Sequence, residues 1–390
     1  MFFPRILGVP IMFRKIIFAS CATLMFLLAS TATSTGATSK NELVFVASKK
    51  GILAYRMNLS TGAMTDLGVA GEIANPGFLA LHPSGRFLYS VSSAKIAGQN
   101  VGLVSAFSLD RKKGKLALVN QRQSGGANPT HLAVDNSGRN LLVANYGSGS
   151  VEAFPIRKDG SLDAASGFMQ HRGSSIDPRR QEGPHAHSIS TDPANRFVLS
   201  CDLGMDQILV YKFDSAKGSL TANDPPFGSV KPGAGPRHHA FHPSGKFLYV
   251  INELDSTMTA FAYDAKRGAL REVQTLSTLP KDFSGKSYPA EVAVHPSGKF
   301  LYGSNRGHDS IVVFGINKKT GCLHVIEHQS TAGKNPRHFE IDPTGHFLLA
   351  ANQDSGTVVN FRIDPKTGML TPLGVQIEAE VPMCVKALPP

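Results

Sequence analysis

Four short stretches of this sequence set cationic or imidazole side chains beside a glycine or proline. They are GPHAHS at 183–188, GPRHH at 235–239, SNRG at 304–307 and NPRH at 335–338. They contribute His185 and His187, Arg237, Arg306 and Arg337. One carboxylate, Glu253, closes the apolar run FLYVIN at 247–252, and Tyr146 and Gln353 close the equivalent runs NLLVAN and FLLAAN. Guanidinium groups hold carboxylates or phosphates through charge-assisted hydrogen bonds. They also stabilise an oxyanion as it develops at an attacked carbonyl. A carboxylate and an imidazole at the same place can move the protons of such a reaction. Together these residues suit acid–base chemistry on a small anionic substrate.

They are far apart in sequence, so some element must gather them. That element is a repeat. Its turn reads LHPSGRFLY at 81–89, VDNSGRNLL at 134–142, TDPANRFVL at 191–199, FHPSGKFLY at 241–249, VHPSGKFLY at 294–302 and IDPTGHFLL at 341–349. A period of roughly 50 residues means a propeller or a solenoid. Each unit reads as four strands. In the unit from Gly235 they fall near 238–241, 247–252, 258–263 and 270–275, with tight turns at 242–245 and 264–268. Proline presets φ in the first turn, and Gly245 accepts the positive φ that the turn needs. Helical periodicity is absent.

Residues 42–67 read as the last three strands of a unit, and 381–388 as a first strand alone. Joined, they make a seventh unit whose closure removes exposed sheet edges. The expected fold is all-β: a single seven-bladed β-propeller over 42–390, its ring closed by the two chain ends. In each blade the start of the first strand and the end of the second share one mouth of the channel, because the two are antiparallel. The position after the second strand is held by Lys49, Ser93, Tyr146, Leu203, Glu253, Arg306 and Gln353 around the ring. The position opening the first is held by Gly77, Thr130, His187, Arg237, Ala290, Arg337 and Met383. One mouth thus gathers Arg237, Arg306, Arg337 and Lys49 around Glu253 and His187, with Tyr146 and Gln353. GPHAHS carries two extra residues, so counting from Pro184 puts His185 in the slot instead of His187.

Other histidines repeat blade by blade. His131, His238 and His338 share one slot, and His82, His242 and His295 share another at the turns, where Asp135, Asp192 and Asp342 replace them. Such repetition points to hydrogen-bonding devices of strand ends and turns. Glu291 shares the first slot and alone brings a negative charge there, which makes it a secondary candidate for substrate binding. No third ligand at a metal spacing accompanies His185 and His187. No nucleophile elbow, P-loop or dinucleotide fingerprint is present, so neither metal nor cofactor is expected.

The formal net charge is +11. The basic residues are scattered rather than blocked, so no nucleic-acid partner is expected. Residues 1–37 pair Arg14 and Lys15 with an apolar run, 16–30, and small residues to Ala37, the pattern of a secretory signal peptide. An exported protein, periplasmic or secreted and free of the membrane after cleavage, is the expectation. Cys201, Cys322 and Cys384 show no pairing pattern and are expected as buried thiols.

The segments NPTHLAVDNSGRNLLVANYGSGSVEAF, GPHAHSISTDPANRFVLSCDLGMDQILVYKFD, GPRHHAFHPSGKFLYVINELDSTMTAF, LYGSNRGHDSIVVF and NPRHFEIDPTGHFLLAANQDSGTVVNFRID closely resemble the seven-bladed propeller lactonases. That family includes bacterial 6-phosphogluconolactonases and fungal 3-carboxy-cis,cis-muconate cyclases. The resemblance spans about 42–388. It implies a metal-independent site of a histidine (His187 or His185), Arg237, Glu253 and Arg306. The activity it implies is hydrolysis of a sugar-acid lactone, with Glu253 as general base and His187 as the acid, or His187 as the base. His185, Arg337, Tyr146, Glu291 and Gln353 would bind substrate. A carboxymuconate cyclase is the alternative enzyme. An exported propeller binding a protein or saccharide through loops 93–103 and 167–183 is the non-catalytic alternative.

Overall fold

The computed structural model describes residues 41–96 and 98–389. The expected leader, 1–37, lies outside them. Twenty-eight strands form seven antiparallel sheets of four, and no helix occurs among the described residues. The unit from Gly235 has strands Pro236–Phe241, Phe247–Asn252, Thr257–Asp264 and Ala269–Ser277. The first strand of each sheet touches the first strands of its two neighbours, and these contacts close a ring. The fold is a seven-bladed β-propeller.

Blade 1 joins the chain ends, and blades 2 to 7 follow in order at 78–123, 129–170, 186–229, 236–277, 288–330 and 336–378. In blade 1 the innermost strand is Cys384–Leu388, which pairs antiparallel with Asn41–Ser48, Leu43 facing Leu388 and Ala47 facing Cys384. Gly51–Asn58 and Met64–Gly71 complete the sheet. The half-units complement each other as the repeat requires.

Second strands are continuous apolar runs, buried on both faces. Fourth strands mix half-buried and exposed positions, as an outer edge should. Blades are tied by repeated polar contacts. Buried Tyr89, Tyr249 and Tyr302 donate their hydroxyls to the carbonyls of Gly160, Gly321 and Gly368 in the next blade. His82, His242 and His295 donate Nε2–H to the carbonyls of Gly138, Gly298 and Gly345, also one blade on. Their Nδ1 atoms accept from the backbone of Ser84, Ser244 and Ser297. Asp135, Asp192 and Asp342 instead cap their own turns, accepting from Asn140, Phe197 and Phe347 amides. These are hydrogen-bonding devices, as their repetition implied.

Three expectations change. Residues 93–103 are not a loop: Phe87–Ile96 and Gln99–Asp110 run on as a long hairpin that pairs Ser93 with Gly102 and Ile96 with Gln99. In 167–183, Gly167–Gln170 is the fourth strand of blade 3, so the connection proper runs from 171 to 185. Cys201 and Cys384 are buried free thiols, but Cys322 is only half-buried.

Candidate active site

The innermost strands carry a shared irregularity. Their register with the second strand skips between Pro129 and His131, Ala186 and Ser188, Pro236 and His238, Pro289 and Val292, and Pro336 and His338. The residues passed over are Thr130, His187, Arg237, Ala290 with Glu291, and Arg337. A β-bulge re-aims the side chain of its extra residue. Here it places His187, Arg237 and Arg337 at equivalent points around one mouth. Across the same mouth, in several blades the residue after the second strand bonds back to the segment before the first. The amides of Tyr146, Glu253 and Gln353 donate to the carbonyls of Asn128, Gly235 and Asn335.

Glu253 is the centre of a cation cluster. Its Oε2 accepts from Arg237 Nε at 3.1 Å and from Arg306 Nη2 at 2.7 Å. Its Oε1 accepts from Arg180 Nη2 at 2.6 Å. Burial alone would raise the pKa of this carboxylate. Arg306, Arg237 and Arg180 outweigh burial and push it down to about 2. Arg237 also donates Nη1 to the carbonyl of Ala290 and to His238 Nε2. Arg306 donates Nε to the carbonyl of Tyr288.

Asn128, Thr130, Tyr146, Arg180, His187, Glu253, Arg306 and Arg337 line a cavity of about 220 Å³. Asn128, Thr130 and Arg337 also line an adjoining cavity of about 290 Å³ that reaches Arg237 and His238. His187 is buried and its Nδ1 has no hydrogen-bond partner among the described residues. Burial first, then the charges of Arg237, His238 and Arg337, hold its pKa well below the usual imidazole value. Its ring meets Tyr146 edge-on at 5.4 Å. Arg337 is half-buried and forms no hydrogen bond or ion pair among the described residues.

Below the cavities lies a layer on the channel axis. His338 Nδ1 accepts from the Val385 amide, so its Nε2–H is free to donate to Glu291 Oε2, 3.2 Å away. His238 Nε2 accepts from Arg237, which leaves its Nδ1–H for the same Glu291 oxygen at 3.1 Å. Glu291 therefore faces this septum and the cavity of the opposite mouth, not the pocket of His187.

The chain matches the model of the lactonase, seven-bladed β-propeller family over residues 27–387. It belongs to that family. A 6-phosphogluconolactonase of Bacillus subtilis is 38% identical over 339 residues, covering 87% of this chain and 95% of that protein. The crystal structure of a putative 6-phosphogluconolactonase from Bacteroides fragilis superposes with a TM-score of 0.83 at 35% identity, covering 90% of this chain and 98% of the other. The periplasmic gluconolactonase of Pseudomonas aeruginosa superposes with a TM-score of 0.84 at 32% identity, covering 90% and 100%.

Within this lactonase-family propeller, His187, Arg237, Glu253, Arg306, Arg337 and Tyr146 come together as expected. The bulge puts His187 in the cavity, while His185 stacks on the outer face of Tyr146 at 4.5 Å and bonds its carbonyl. Gln353 and Glu291 do not line the pocket. Lys49 pairs with Glu380 instead. Arg180 was missed because it lies in the 171–185 connection, where no other blade has a counterpart. The signal available was the length of that connection and its paired arginines, DPRRQEGP.

Proposed function

We propose that this chain hydrolyses a sugar-acid lactone in the cavity between His187 and Arg337, without a metal. The observation that carries the reading is that these two groups share one pocket while neither forms a hydrogen bond or ion pair with another side chain among the described residues. A guanidinium at a pocket wall with no carboxylate paired to it is available to hold a ligand anion by charge-assisted hydrogen bonds. Its lowered pKa keeps His187 neutral near pH 7, so the imidazole is in the form that accepts a proton. In this mechanism His187 takes a proton from water as the water attacks the ring carbonyl. Arg337 and Arg306 stabilise the oxyanion of the tetrahedral adduct. The adduct collapses with cleavage of the bond to the ring oxygen, and His187 returns the proton to that alkoxide. Glu253, with both oxygens engaged by arginines, is a weak base. Its role is to hold Arg237 and Arg306 in place despite their mutual repulsion.

The relatives named 6-phosphogluconolactonase and gluconolactonase support lactones of gluconic-acid type as substrates. The leader-like pattern of residues 1–37, with a periplasmic relative of similar structure, supports export. The test is a hydrolysis screen of the purified chain on phosphorylated and plain gluconolactone. His187→Gln is expected to lower kcat at least about 10²-fold, and Arg337→Ala to lower kcat/KM. Rates equal to buffer for the wild-type chain would reject the reading. Turnover of carboxymuconate alone would replace it with the cyclase.

A further inference from the structure

The mouth carries four guanidiniums, from Arg180, Arg237, Arg306 and Arg337, against the single carboxylate of Glu253. Their holds on Glu253 differ. Arg237 and Arg306 come from the blades, with side chains 3% and 14% exposed, and both grip Oε2. Arg180 alone grips Oε1, through one nitrogen, and its side chain is 36% exposed.

Its backbone, by contrast, is fixed. The amides of Arg180 and Gln181 donate to the carbonyl of Asp177. Buried Gln181 donates Nε2 to the carbonyl of Leu203 and accepts from the Asp177 amide. Ser175 donates to Asp206 Oδ2, while Asp206 also holds the amides of Gly233 and Gly235. The connection is thereby tied to blade 4 and to the entry of blade 5. The Arg180 side chain, reaching in from this fixed backbone, spans from Glu253 to Tyr146 at the wall of the pocket.

We propose that Arg180 is a substrate-responsive clasp that selects lactones bearing an anionic substituent. In the free protein it rests on Glu253 Oε1. When a phosphate or carboxylate of the substrate enters beside Arg337, Arg180 transfers to it. The exchange replaces one charge-assisted pair by another and draws the anion into a pocket that already carries excess positive charge. A neutral lactone offers nothing for Arg180 to grip. The proposal deepens the lactonase reading and rests on it only for its kinetic arm.

The kinetic arm compares kcat/KM for 6-phosphogluconolactone with that for gluconolactone, in the wild-type chain and in Arg180→Ala. The ratio is expected to fall at least about tenfold in the variant, with partial recovery in Arg180→Lys. An unchanged ratio, with both values lowered together, would reduce Arg180 to a support for Glu253 and overturn the proposal. The binding arm needs no turnover. Titration calorimetry with 6-phosphogluconate, gluconate and inorganic phosphate should show the tightest binding for the phosphorylated sugar acid, weakened at least about tenfold by Arg180→Ala. If gluconate weakens as much as 6-phosphogluconate, the recognised anion is the carboxylate and the selection for phosphate is refuted. If no ligand binds differently to the variant, the clasp itself is refuted, whatever the wild-type chain hydrolyses. Thermal melts of both variants establish that the fold is intact.

Discussion

Two carboxylates show how position sets charge in this protein. Glu253 is nearly as buried as Glu42, yet its pKa is pushed down to about 2 while that of Glu42 is raised to about 8. Glu253 has three guanidiniums. Neither oxygen of Glu42 has a hydrogen-bond partner among the described residues, and its pKa rises through burial first and then the charges of Asp342 and Glu340. Between the unfolded value of 4.5 and about 8, the folded state therefore binds more protons at Glu42 than the unfolded chain does. Stability contributed here is present at low pH and lost as pH rises through that window. Glu42→Gln is expected to remove a loss on the order of 5 kcal/mol, so its melting temperature should gain on wild type at pH 9 but not at pH 5. Equal differences at both pH values would contradict this. At the active site the logic reverses. His187 is neutral until well below pH 6.5, so as the base it keeps kcat/KM flat down through pH 6.5. An acid limb at or above that value would exclude His187 as the base.

At the scale of the element, the turn and the bulge do different work. Turns hold blades together, and Gly298 shows how closely. Its φ is +66°, and an added Cβ would lie 2.7 Å from His242 Nε2, the atom that donates to its own carbonyl. Gly68 has φ +76° and open space around it. Gly68→Ala should cost about 1 kcal/mol, the strain of the left-handed backbone. Gly298→Ala should cost about 2–3 kcal/mol, because a buried hydrogen bond between blades is lost as well. Urea titration of both variants checks the difference; equal losses would mean that the histidine bridges carry no net stability. Bulges, in turn, present chemistry. The same bulge carries Thr130, His187, Arg237 and Arg337 in four blades, so the scaffold offers one aimed position in each of these four and the side chain there decides its use.

For the molecule as a whole, closure of the ring rests on one strand pair. The strand Cys384–Leu388 covers the edge of Asn41–Ser48 and buries Cys384, Val385, Ala387 and Leu388. A chain ending at Met383 would expose an unpaired edge and open the gap between blades 2 and 7. It should lose its single cooperative melting transition and self-associate, as light scattering would detect. A monomeric truncated chain with the wild-type melt would show that closure is dispensable.

The sequence by itself determined the ring, its closure and five of the side chains now at one mouth: Arg237, Glu253, Arg306, Arg337 and Tyr146. These were legible because each blade repeats the same strand pair, so a residue's offset from its turn places it in space. Tertiary structure alone decided between His185 and His187, because a bulge, not a count, selects the residue that faces the channel. It moved Gln353 and Glu291 away from the pocket, since sharing a slot does not settle where a long side chain ends or which partner holds it. It also brought in Arg180, which belongs to no repeat. The 171–185 connection is positioned by bonds to distant backbone, and those bonds leave no periodic trace in the chain.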